Sequence, residues 1–327
     1  MNAALEELMS GLIDYAGLFP PAELPMDRAV AMYNGYRQCP ESWMLGRFIC
    51  PCSRAEEFML HAEIFLDQAS PDNPWRISAL GDPAKDARGL DRVTRNSLAA
   101  IADLSDQFSD GVCVDAYECR WPADVFDAAN PDQIAELLGK LVGAFDEYAP
   151  VATHIFLEVP FLEGWKNKVP TIIDSIAKSR PESAAGHRVS VKIRTGGISA
   201  DLFPSPEKVA FFINACKASG IGFKATAGLH HPVRLYHDSV STRMHGFLNV
   251  FGGGLLLASG RIDEAGLKTL LEDEDPDSFE FSEDGFGWND RRVSADKIAE
   301  LRNEFAFSFG SCSFQEPVDD LEHLEWL

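Results

Sequence analysis

The chain has 327 residues, 46% of them hydrophobic and 24% charged, which is enough apolar material for one large domain or two modest ones. Its 51 acidic and 29 basic residues give a net charge of -22, a surface that repels phosphate backbones and anionic bilayers. Nucleic-acid and membrane partners are therefore not expected. A small molecule is, even an anionic one, because a few basic residues can reverse the potential inside a cleft.

The opening segment MNAALEELMSGLIDYAG carries early acidic residues and no basic stretch ahead of a long apolar run, so it does not resemble a secretory signal. No run of 18 apolar residues occurs, so no membrane span is expected. The seven cysteines (39, 50, 52, 113, 119, 216 and 312) are odd in number and scattered, which suits free thiols in a reducing compartment. The expected location is cytoplasmic. Cys50 and Cys52 flank Pro51 without a matching second pair, and they read as a strand end rather than a zinc site.

In chain order, an N-terminal helical turn leads into LIDYAGLFPP, the first strand, and DRAVAMYNGYR follows as a helix. WMLGRFICP is a strand, backed by SRAEEFMLHAEIFL, a helix opened at Ser53. WRISALGD, VCVDAYECRWP and THIFLEVPF read as strands separated by the helices LDRVTRNSLAAIADLSDQF and PDQIAELLGKLVGAFDEY. After a helix through TIIDSIAKSR comes the strand RVSVKIRTGG. SPEKVAFFINACKASG is then a helix with proline near its start and glycine at its end. IGFKATAG is a strand, and HGFLNVFGGGLLLASG is apolar enough for a buried helix. SFEFSEDGFGW is expected as the eighth strand, backed by SADKIAELRNEF. The run LEDEDPDSFE reads as a solvated loop.

Eight strand–helix units with near-continuous apolar strands are the pattern of a (β/α)8 TIM barrel, and no glycine-rich nucleotide fingerprint follows the first strand. A single barrel domain over residues 1–327 is expected, with residues 305–327 as a C-terminal extension. That extension is expected to cover a barrel end or to pack on a neighbouring copy in a homo-oligomer.

A barrel carries its site where its strands end, so polar residues there are the candidates. Side chains alternate along a strand, so Lys192 and Arg194 share one face against Val191 and Ile193. Lys224 and Thr226 likewise oppose Phe223 and Ala225. The aliphatic set belongs against the helices, which turns both lysines inward. They are 32 residues apart, one repeat, and so belong on adjacent strands. Two neighbouring interior ammonium groups are costly, but each lowers the other's pKa, and a neutral amine attacks a carbonyl to form an imine. A structural network with carboxylates such as Asp115 or Glu158 is the competing explanation.

VKIRTGG, a helix and then GFKATAGL, spanning Arg188 to Gly228, resemble the sixth and seventh strands of Schiff-base aldolase barrels of the deoxyribose-phosphate aldolase type. The resemblance implies Lys192 as the imine-forming residue, Lys224 as its electrostatic and proton-transfer neighbour, and Asp115 as the acidic partner, with no cofactor. The chain departs from that pattern at Arg194 and at the HHP sequence after the second motif.

His230 and His231 fall on a rim loop, where His230 can move protons near neutral pH and His231 can contact substrate. Adjacent histidines on extended backbone point in opposite directions. The turn residues Thr195, Gly196, Gly197, Thr226 and Gly228, together with Glu158, are candidate substrate contacts, and Arg194, Arg234 and Arg47 are candidates for holding an anionic group. Asp14, Tyr15, Ser311, Cys312 and Glu316 lie on stretches that can frame a pocket mouth. Three readings stay open: a carbon–carbon lyase acting through a lysine imine; an isomerase or hydrolase holding a divalent metal through Asp115, Glu158 and a histidine, where His230 or His231 can join Asp115, Glu158 or His154; and a barrel that binds a small molecule without catalysis.

Overall fold

The computed structural model describes every residue except Met1, Pro71, Ser109, Asp110 and Pro150. Seven strands follow the expected segments: β1 (Ile13–Tyr15), β2 (Leu45–Pro51), β3 (Trp75–Leu80), β4 (Val112–Arg120), β5 (His154–Glu158), β6 (Arg188–Arg194) and β7 (Phe223–Thr226). After them come the hairpin β8 (Leu235–His237) and β9 (Thr242–Met244), and then β10 (Phe279–Ser282), β11 (Gly285–Trp288), β12 (Arg291–Val293) and β13 (Ala306–Ser311). Eight strands close into a parallel barrel in the order β1-β13-β7-β6-β5-β4-β3-β2. The chain is a (β/α)8 barrel, and β6 and β7 are neighbours in it.

The eighth barrel strand is not the segment expected. SFEFSEDGFGW forms β10 and β11, which pair antiparallel through Ser282↔Gly285 and extend to β12 as a separate three-stranded sheet. Gly285 has φ +126°, a conformation that only glycine adopts readily, and it ends the tight Glu283-Asp284 turn. The barrel closes instead through β13, so residues expected as a C-terminal extension supply a wall of the barrel, followed by the helix Gln315–His323. Ser53 does not open its helix. Its hydroxyl donates to Asp82 at 2.9 Å, and the helix Ala55–Ala62 begins after a 3-10 turn.

The chain divides into two compact units. One comprises Glu23–Gln38 and Arg47–Lys192. Its helices start where the sequence offers caps: Asp86 accepts from the Gly89 N–H, and Asn130, just before Pro131, accepts from the Gln133 N–H. An aromatic cluster anchors it, with Tyr33 edge-on to Phe48 at 5.5 Å and to Trp75 at 5.2 Å, and Phe58 beside Phe48 at 5.4 Å. Such pairs add about 0.5–1.5 kcal/mol each beyond the burial of their area.

The other unit comprises Met1–Ala22, Cys39–Gly46 and Ile193–Leu327. Its core holds Phe223 against Phe251 and Phe305, and Phe309 against Phe247 and Phe251. The apolar run HGFLNVFGGGLLLASG is buried from Phe247 to Leu257, as a π turn over Leu248–Gly252 continuing into the helix Gly253–Ala258. Within it the fully buried Asn249 amide donates to the Leu270 and Asp273 carbonyls and its oxygen accepts from the Arg234 N–H. A buried amide is stable there because its groups are partnered.

Candidate active site

Lys192 lies near the end of β6, in register with Glu158, the last residue of β5. Its ammonium donates to Glu118 Oε2 at 3.0 Å and pairs with Glu158 Oε2 at 3.0 Å, and the Ser78 hydroxyl donates to Glu118 Oε1 at 2.8 Å. All four side chains are buried. Burial alone would lower the lysine pKa, but the two carboxylates outweigh it and hold the ammonium well above its ordinary value. The sequence led to the opposite expectation. The difference arises because the nearest charges within this unit are negative, and at 3 Å in a low dielectric an opposite charge dominates.

Asp115 does not join this group. The register between β3 and β4 pairs Ile77 with Val114 and Ser78 with Ala116, so Asp115 is the extra residue of a bulge. Its carboxylate accepts from Arg47 at 2.6 Å and from Arg76 at 2.5 Å. Burial pushes its pKa up, yet the two guanidinium groups leave it below the usual range. The bulge also makes Glu118 the acid that meets Lys192. Glu118 stands in the same segment VCVDAYECR, three residues beyond Asp115, and was not singled out from the sequence. Arg47 is engaged in this ion cluster. Arg194 donates to the Gly196 carbonyl at 3.3 Å, and Arg234 lies 3.6 Å from Glu274. His154 shares a 2.8 Å hydrogen bond with Ser190.

In the other unit, Lys224 of β7 is fully buried and paired with Asp14 of β1. Between them on β13, Ser308 accepts from Lys224 at 3.2 Å and donates to Asp14 at 2.7 Å. Asp14 is thus a buried counter-ion rather than part of a pocket mouth.

The threonine–glycine turns hold the loops together. The Thr195 hydroxyl donates to the Ala227 carbonyl at 2.6 Å, and its N–H donates to the Thr226 carbonyl at 2.9 Å. Gly196 and Gly228 approach so closely that a Cβ on Gly228 would lie 2.7 Å from the Gly196 Cα, and Gly228 has φ +75°. Gly228→Ala is therefore expected to cost about 2–4 kcal/mol, combining left-handed backbone strain with overpacking against main chain. A thermal melt checks this, and an unchanged midpoint would contradict the packing described.

Beyond these strand ends lies a cavity of about 390 Å³, lined by segments following β1, β6, β7 and β13 and by the β8–β9 hairpin. His230, His231 and His237 face it together with Glu316, Cys312 and Gly197. His230 Nδ1 meets Glu316 at 3.0 Å, and His231 Nδ1 meets Asp320 at 2.6 Å. Both histidines reach one cavity because the chain leaves β7 through bends rather than as extended strand. The hydrogen bond from His230 holds the Glu316 carboxyl below its usual range, while burial pushes the Cys312 thiol up to about 11. Asp320 and His237 carried no motif, and only folding brings them here.

Among the described residues no group of three or more His, Cys, Asp or Glu is arranged to hold a metal ion, and no helix is long and apolar enough to cross a membrane. No protein-family model matches the sequence, and no curated protein matches it by sequence. Solved structures do resemble the fold. A tetrameric deoxyribose phosphate aldolase from Aeropyrum pernix is 14% identical, with 92% of this chain and 95% of that chain covered and a TM-score of 0.46. A protein proposed to be a deoxyribose-phosphate aldolase, from Toxoplasma gondii ME49, is 12% identical, with 98% and 96% covered and a TM-score of 0.49. At these values the likeness is one of fold and carries no chemistry.

Proposed function

We propose that this chain is a carbon–carbon lyase that processes a small carbonyl compound through an imine on Lys192. The observation that supports this is the buried Lys192 amine held 3.0 Å from both Glu118 and Glu158 near the end of a barrel strand. A lysine that rests as an ammonium must lose a proton before it attacks, and either carboxylate is within hydrogen-bond reach to take it. The amine then adds to the carbonyl carbon, and loss of water gives the iminium. A carboxylate takes the proton of a hydroxyl on the β-carbon, and the bond between the α- and β-carbons breaks, its electrons passing to the iminium nitrogen; a second carbonyl compound leaves and an enamine remains. A carboxylic acid returns the proton to the enamine carbon, and water hydrolyses the imine to free the lysine.

Borohydride trapping in the presence of short aldehydes and ketones tests this reading. A reduced adduct on the peptide carrying Lys192 is the expected result. An adduct on Lys224 instead would move the nucleophile, and no adduct on either lysine would end the imine reading.

A second reading, a barrel that binds a small molecule without catalysis, is favoured by one observation. Both lysines are paired with carboxylates, and the residues lining the His230 cavity include neither of them. Saturable ligand binding with no adduct and no turnover would select it.

A further inference from the structure

Glu316 and Asp320 are four residues apart on the helix Gln315–His323 and so share one face. That face meets two adjacent histidines, each through Nδ1. An imidazole whose Nδ1–H is given to a carboxylate is fixed in orientation and tautomer, and its Nε2 becomes the atom that faces outward as an acceptor. Among the described residues neither Nε2 has a protein partner, and both rings line the same cavity. His231 is further steadied by stacking on His237 at 5.5 Å.

The rest of the lining sets the ligand's chemistry. Pro21, Ala22, Ile198, Val240 and Met244 give apolar walls, while Ser239 and Ser313 add hydroxyl groups. Among the described residues neither arginine nor lysine lines the cavity, and Glu316 places a carboxylate in it. A phosphate or carboxylate would meet that negative charge with no fixed cation to offset it. Both carboxylates already accept hydrogen bonds from the rings, so an ammonium would have to displace an imidazole to pair with one. At about 390 Å³ the space is near the small end of ligand cavities, which run from about 300 to 1,000 Å³.

We infer that this cavity is a binding site for a small uncharged polyhydroxylated molecule whose O–H groups donate to Nε2 of His230 and of His231. Glu316 and Asp320 are its positioning residues. The site stands on the cavity alone and is independent of any imine at Lys192.

The test uses the full chain with nitrogen-labelled histidine and three probes: xylitol, xylitol 5-phosphate and 1-amino-1-deoxyxylitol. None carries a carbonyl group, so the result does not depend on lysine chemistry. Long-range proton–nitrogen spectra should show both rings protonated at Nδ1. Their Nε2 resonances should shift saturably with xylitol, at a Kd about tenfold or more below those of the charged probes. Glu316→Gln and Asp320→Asn should each weaken xylitol binding by about tenfold and change the tautomer signal of the paired ring. Ile198→Trp, at an exposed position on the rim, should block binding while leaving both tautomer signals intact. Tighter binding of either charged probe, no shift at Nε2, or undiminished binding in Ile198→Trp would overturn the assignment.

Discussion

Replacing Lys192 with methionine is expected to lower the unfolding free energy by about 3–5 kcal/mol at pH 8, because Glu118 and Glu158 lose their shared cation while staying buried. The loss should shrink as the pH falls. A buried carboxylate without its cation has a raised pKa, so the folded variant binds more protons than the unfolded chain above about pH 4.3, and its stability declines as pH rises. The unsubstituted protein behaves differently. Its folded Lys192 pKa is raised, so that contribution is complete below the unfolded value of about 10.5 and is lost only as pH climbs through the folded value. Urea titrations across pH measure both. A variant within about 1 kcal/mol of the parent at every pH would show that Lys192 does not hold the two acids.

Asp14→Ala carries the second large effect. It removes the carboxylate paired with the fully buried Lys224 and is expected to cost about 3–5 kcal/mol near neutrality. Urea titration near neutral pH measures the loss. A variant within about 1 kcal/mol of the parent would show that Asp14 does not hold Lys224. Both substitutions probe stability and leave the imine question to trapping.

The local elements were written plainly in the chain. Seven barrel strands, the buried apolar helix, and the helix Pro206–Ala218 follow from periodicity and from the placement of proline and glycine. The interior placement of both lysines also follows, since alternation needs only the residues beside them. The eighth strand was misplaced because SFEFSEDGFGW and AFSFGS carry similar alternation. Nothing local says which of them finds a parallel partner.

Charge pairing was decided elsewhere. Lys224 meets Asp14 across 210 positions of chain and His231 meets Asp320 across 89, separations at which spacing carries no signal. Glu118 replaces Asp115 beside Lys192 because one bulged residue reverses the alternation of β4. Composition and periodicity determined that this protein would be an acidic barrel with amines in its interior. Whether those amines rest charged or neutral depends on which distant carboxylates lie within about 3 Å, and strand pairing and register set that distance.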